Sequence, residues 1–338
     1  MKLSIRIPVV YFVILYVLLS CKQPTQNKNM VIIAHRGASG YLPEHTLPAK
    51  ALAYGMFPDF IEQDVVLSKD NVAVVIHDIH LETTTNVANV YPDRARKDGK
   101  FYVVDFTWEE LSTLNVSERF NIKTKQAVYK DRFPIHTSHF KLHTLADEIE
   151  LIQGLNKSMH KNVGIYVEIK EPQFHRNEGK DISEIVLTIL ADYGYISVKD
   201  NCMLQCFDAV ELQRIREEYK SDLFLVQLLE MGYSDAIFKA MIPEEMVAHI
   251  AKYANGIGPW YKQMIEGDDK MNIKDFENLV SYAHQQNLKV HAFTFRADDL
   301  GGKTSFKEVL KIAENLKLDG VFTDHPDQAI TYFKKKNH

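Results

Sequence analysis

The sequence predicts an α/β protein built as a (β/α)8 barrel with an insertion behind an early hairpin. Three observations lead there. Short apolar runs alternate with helix-like segments along most of the 338 residues, the pattern of a parallel sheet covered by helices. The number of such units favours a closed barrel over an open sheet. Two of the runs are parted by only a turn, so one of them is surplus to the eight strands of the barrel.

Taken in order, residues 31–35 form the first strand and 46–56 the first helix. The runs 60–66 and 72–76 are separated by Ser68-Lys69-Asp70-Asn71, so they form an antiparallel hairpin. Pairing about the Lys69/Asp70 centre sets Glu62 opposite His77. Residues 83–141 match no barrel unit: they are polar, rich in Tyr and Phe, and carry the mixed-charge run Asp93-Arg94-Ala95-Arg96-Lys97-Asp98. They read as an insertion beside the rim of the barrel, able to shape or cover a site. Helix 144–160 starts at Thr144 with Asp147 three residues on, a capping signal. The alternation then runs strand 163–169, helix 181–193, strand 203–207, helix 209–219, strand 223–228, helix 243–253, strand 256–258, helix 274–286 and strand 290–295. Helix 305–316, opened by Ser305 with Glu308, and strand 320–323 complete it.

Composition bounds the partners. With 46% hydrophobic and 25% charged residues and a formal charge of -5, the chain has ample core. It lacks the basic balance of a nucleic-acid binder, so a small molecule is the expected partner. The N-terminus stands apart from the fold. Lys2 and Arg6 precede an uncharged stretch over 7–20, short for a membrane span and suited to a signal peptide. It ends in Leu18-Leu19-Ser20-Cys21 ahead of a polar run over 22–29. This resembles a bacterial lipoprotein signal: residues 1–20 removed, Cys21 acylated, 21–30 a polar tether. It implies an exported protein, periplasmic or attached to the outer membrane through lipid. Cys202 and Cys206 remain as free thiols, since residues four apart on a strand lie ~13 Å apart, beyond disulfide reach.

Chemistry in barrels gathers at the C-terminal strand ends, where His35, Glu62, Asp64 and Glu168 fall and where the hairpin returns His77. Glu62 and Asp64 share one face of their strand. Three converging carboxylates with no cysteine cluster suit a hard divalent cation such as Ca²⁺ or Mg²⁺. Arg36 offers a planar fork for phosphate oxygens. Gly37 and Gly40 allow backbone N–H groups to come close to a ligand, with a helix N-terminus following at Thr46. The plainer readings are that the acids are solvated or paired with Arg36 and Lys170. Asp78 orients a neighbour or caps a turn, His45 shapes its loop, and His136, His139 and His143 serve surface or packing.

The run from His35 through Pro48, with Glu62-Gln63-Asp64-Val65, His77-Asp78, Glu168-Ile169-Lys170, Leu204-Gln205-Cys206-Phe207-Asp208 and Phe322-Thr323-Asp324-His325-Pro326-Asp327, resembles the glycerophosphodiester phosphodiesterase family, most closely its bacterial periplasmic members. The resemblance extends to the insertion, at 91–99. It implies a (β/α)8 barrel and hydrolysis of glycerophosphodiesters to glycerol 3-phosphate and an alcohol. It further implies a divalent cation, typically Ca²⁺ in exported members. By that resemblance His35 and His77 are the acid/base pair, Arg36 binds phosphate, Glu62, Asp64 and Glu168 hold metal, and Lys170 adds a phosphate or transition-state contact. Where many members carry an arginine before paired threonines, this chain has Leu81-Glu82-Thr83-Thr84, which bears on leaving-group contacts.

The roles are chemically coherent. Positive groups offset the charge that builds on a phosphodiester in its transition state. One imidazole removes a proton from water or from the glycerol 2-hydroxyl while the other protonates the departing alkoxide. Gln205, Phe207, Trp260 and Phe295, at or near strand ends, are candidates for lining the pocket, or for the core. Two rivals are a barrel phosphodiesterase acting on phosphoinositides or sphingolipids, and a surface lipoprotein turned binding module. The second would show a lost acid/base or metal residue, and none is missing.

Overall fold

The structure, a computed structural model, describes residues 30–230, 238, 241–264, 273–300, 302–303 and 305–334. The segment read as signal peptide, with Cys21 and the tether as far as residue 29, lies outside the described residues. Among those described, no helix is long and apolar enough to cross a membrane.

Nine strands form one sheet: β1 (Val31–Ala34), β2 (Phe60–Leu67), β3 (Ala73–Val75), β4 (Gly164–Ile169), β5 (Cys202–Cys206), β6 (Phe224–Leu229), β7 (Gly256–Pro259), β8 (Lys289–Phe295) and β9 (Gly320–Thr323). Their order is β1-β9-β8-β7-β6-β5-β4-β2-β3, and a further β1–β2 pairing closes eight parallel strands into a barrel. The ninth, β3, is the antiparallel return of the hairpin.

The hairpin register differs from expectation by one residue. Val65 faces Val75, Val66 faces Val74 and Leu67 faces Ala73, so Glu62 is not opposite His77. The turn explains the slip. Asn71 adopts the left-handed conformation (φ 64°), and Ser68 closes the turn by donating its amide to the Val72 carbonyl at 3.0 Å. The loop therefore holds three residues centred on Asp70, rather than two about a Lys69/Asp70 midpoint.

Alternation along β2 sorts its side chains. Ile61, Val65 and Leu67 face the helical layer with Ile32, Ile165 and Leu204. Phe60 enters a small inner cluster with Ile33, Tyr166, Val226 and Phe322, which plugs the barrel. Above that plug the inward positions of β2 are Glu62 and Asp64. Burying each large aliphatic side chain contributes about 1.5–3 kcal/mol, and that surplus sustains the buried acids.

Helices cover the barrel largely as read. Thr144 forms a full capping box with Asp147 at the head of helix Leu145–Met159, and the Ser305 side chain accepts from Glu308 N at the head of helix Phe306–Asn315. A further helix beyond those expected, Pro326–Lys334, follows β9 and buries Ala329 and Phe333. The region 83–141 holds short helical pieces with a core of their own. Leu81, Val87, Phe101, Phe106, Leu111 and Val116 pack on Val66, Val74 and Ile76 of the hairpin.

Candidate active site

His35 follows the last residue of β1, so the strand delivers its imidazole to the rim. The β2–β4 register pairs Asp64 with Glu168, and the β4–β5 register pairs Glu168 with Gln205. These residues, with Arg36, Glu62, His77 and Lys170, line one cavity of about 150 Å³. Phe207 and Trp260 form part of its apolar wall.

Phe295 does not belong there. It is fully buried and stacks on Tyr261 with ring centroids 4.1 Å apart. A register shift in the β8–β9 pairing between Ala292 and Phe295 interrupts the strand's alternation. Phe293 and Thr294 reach the cavity in its place, together with Leu228, Arg296 and Phe322.

The three carboxylates present oxygens within 4.8 Å of one another, all buried. Gln205 donates to Glu62 Oε1 at 3.0 Å. Its own Oε1, like Asp64 Oδ1, is buried without a hydrogen-bond partner. Burial and the neighbouring Asp64 and Glu168 hold Glu62 well above the usual carboxyl range. Burial pushes Glu168 up to about 8, Asp64 adding to it against the pull of Lys170. Asp64 itself lies well below its ordinary value, because Lys170 and His45 outweigh the burial that raises it. A concentrated set of oxygen donors whose mutual repulsion is only partly offset fits a hard divalent cation. Glu62, Asp64 and Glu168 could hold one.

Both imidazoles are tied at Nδ1 to a carboxylate: His35 to Asp324 Oδ1 at 2.6 Å and His77 to Asp78 Oδ1 at 2.5 Å. Their Nε2 atoms are thus the ones left for chemistry; His35 Nε2 lies 3.7 Å from Glu62 Oε2. Burial, then the Arg36 charge, lowers His35 to about 4. Burial, Arg36 and Lys170 lower His77 to about 3. Near neutral pH each ring is an uncharged proton acceptor.

Arg36 sits in the left-handed region (φ 57°), a conformation that costs an L-residue about 1–2 kcal/mol. Its amide is held by Glu62 Oε2 at 2.9 Å and its Nη1 by Glu44 Oε1 at 2.9 Å. Its buried Nε has no hydrogen-bond partner. Lys170 Nζ lies 2.5 Å from Glu168 Oε1. His45 shapes the loop, donating its amide to the Arg36 carbonyl at 3.1 Å, and its Nε2 meets Asp64 Oδ2 at 2.7 Å.

The glycines do other work than expected. Gly37 N–H goes to the Ala34 carbonyl and Gly40 N–H to the Asp324 carbonyl, so these amides are spent within the protein. A Cβ on Gly40 would lie 2.4 Å from the His325 ring, so close packing is what calls for glycine there. His136 and His139 are exposed on the insertion, and His143 is buried against Glu148 at 2.7 Å; none joins the cavity. Asp324, Glu44, Thr294, Arg119, Arg132 and Arg296 were given no role from sequence. Asp324 directly follows β9, so the strand-end rule could have flagged it. The two insertion arginines carried no such signal.

Comparison with known proteins agrees with this geometry. The model of the glycerophosphoryl diester phosphodiesterase family matches residues 35–328. A Haemophilus influenzae glycerophosphodiester phosphodiesterase is 44% identical over 337 residues, covering 92% of both chains. A Treponema pallidum protein of the same name is 37% identical, covering 90% of this chain and 92% of its own. A solved Oleispira antarctica phosphodiesterase, in complex with the product sn-glycerol-3-phosphate, superimposes with TM-score 0.62 at 19% identity, covering 90% of this chain and 97% of its own.

Proposed function

The chain belongs to the glycerophosphoryl diester phosphodiesterase family, and from that premise we propose that it hydrolyses glycerophosphodiesters such as glycerophosphocholine and glycerophosphoethanolamine. The products are sn-glycerol 3-phosphate and the free alcohol. The observation that carries this reading is a single cavity bordered by two carboxylate-anchored imidazoles, three clustered acids, Arg36 and Lys170. The product named in the Oleispira complex supports the choice of substrate.

Arg36 and Lys170 receive the phosphoryl oxygens and stabilise the charge that grows on them. Glu62, Asp64 and Glu168 would hold a divalent cation, Ca²⁺ before Mg²⁺, and such an ion when bound would supply Lewis-acid polarisation of the phosphoryl group. One neutral imidazole accepts the proton of the nucleophile at Nε2; the other first takes up a proton at Nε2, favoured by the negative charge of the bound phosphodiester beside it, and delivers that proton to the leaving alkoxide. Asp324 and Asp78 fix the rings for these transfers. Gln205, Phe207 and Trp260 bound the substrate. The N-terminal motif supports export and acylation of Cys21 in a periplasmic or outer-membrane lipoprotein, which fatty-acid labelling of that residue tests.

In the decisive assay, His35→Ala and His77→Ala each lower release of glycerol 3-phosphate from glycerophosphocholine by roughly 10²–10⁴, with circular dichroism unchanged. Near-wild-type rates in either variant contradict the assignment.

A further inference from the structure

Two arginines of the insertion reach into the barrel, each ending on a carboxylate that already holds a histidine. Arg119 donates through Nη1 to Asp78 Oδ2 at 2.6 Å, while Asp78 Oδ1 holds His77. The same guanidinium grips Glu44, Nη2 to Oε1 at 2.7 Å and Nε to Oε2 at 3.0 Å, and Glu44 in turn holds Arg36. Arg132 donates through Nη2 to Asp324 Oδ2 at 2.7 Å, while Asp324 Oδ1 holds His35. Arg132 is further braced by Asp298 at 2.6 Å and lies over the Tyr129 ring at 3.6 Å.

We propose that Arg119 and Arg132 are positioning residues, so that the insertion completes the active site by fixing His77, Arg36 and His35 through one intervening carboxylate each. The proposal rests on the acid/base reading of the histidines given above. A planar guanidinium with paired donors sets both the distance and the plane of a carboxylate. A carboxylate that is itself anchored sets the tautomer and tilt of its imidazole. Displacing a reacting group by 1 Å costs about 10²-fold in rate, so these contacts act on turnover without touching substrate.

The two arginines are not equivalent. Asp324 has a second guanidinium, Arg296 Nε at 2.7 Å, whereas Asp78 is held otherwise by His77 and by the Thr83 hydroxyl at 3.0 Å. Arg119 therefore carries more of the arrangement than Arg132.

The test measures kcat and KM on glycerophosphocholine for the full chain. Arg119→Gln is expected to lower kcat by about 10–10²-fold, and Arg132→Gln by about tenfold or less. If Arg119 acts through Asp78 and Glu44, adding Arg119→Gln to an Asp78→Asn/Glu44→Gln variant slows it no further, within about threefold; independent sites would multiply their losses. Millimolar guanidinium restores part of the activity of Arg119→Ala. Should Arg119→Gln fail to fold, Arg119→Lys, which keeps the charge but not the fork, decides by the same cycle. Unchanged kcat in the arginine variants, or losses that multiply, overturns the proposal while leaving the phosphodiesterase reading intact. Full activity in His77→Ala instead overturns the acid/base reading, and this proposal with it.

Discussion

His35 and His77 come from opposite kinds of backbone, one at a barrel strand end and one beyond a hairpin arm, yet both offer Nε2 to one cavity with Nδ1 tied to an aspartate. In the same cavity Lys170 Nζ stands 2.5 Å from Glu168 and 4.0 Å from Asp64. These acids hold it charged, above its ordinary pKa, against the burial that lowers it. Lys170→Met is expected to lower kcat about 10²–10³-fold, the loss typical of one preorganised electrostatic contact; steady-state kinetics at saturating substrate and cation measure it. At this scale the sequence was informative wherever a strand end carried the residue, as for His35, Glu62, Asp64 and Glu168. It left Phe295 open between pocket and core, because a break in alternation inside β8 leaves no mark on composition.

Among the elements, the insertion was visible in the sequence as a stretch without barrel periodicity, and its contacts were not. Which carboxylate Arg119 or Arg132 would meet depends on three-dimensional placement of an irregular chain. The hairpin was legible as a hairpin, but its register hinged on Asn71 adopting a left-handed backbone, a choice Asn tolerates without announcing. The insertion also makes a pH prediction. Glu118 is buried, its Oε2 has no partner, and burial with the nearby Glu44 charge pushes it up to about 8. A carboxyl raised in the folded state contributes stability fully below its unfolded value of about 4.5 and loses it as pH rises towards 8. Glu118→Gln removes that loss. The difference in Tm, variant minus wild type, is expected to grow from pH 5 to pH 9; a difference that stays flat or shrinks contradicts it.

For the molecule as a whole, alternation and count were enough to foresee a closed barrel, because eight parallel strands with covering helices leave few other solutions. The closing helix Pro326–Lys334 escaped notice, although Pro326 and Asp327 at its start are ordinary opening signals. The barrel's inner plug sets the acids above an apolar floor, so their repulsion costs stability that a cation bound among them would restore. Added Ca²⁺ is expected to raise Tm, by the equivalent of about 2.7 kcal/mol at a hundredfold excess over Kd. Asp64→Asn should abolish most of that gain in thermal melts.

Release of sn-glycerol 3-phosphate from glycerophosphocholine, followed before chelation, in EDTA, and after Ca²⁺ or Mg²⁺ is returned, tests the whole arrangement most directly. The account predicts turnover that stops with the chelator and resumes with the cation. Release indifferent to EDTA, or none with any headgroup, would contradict it.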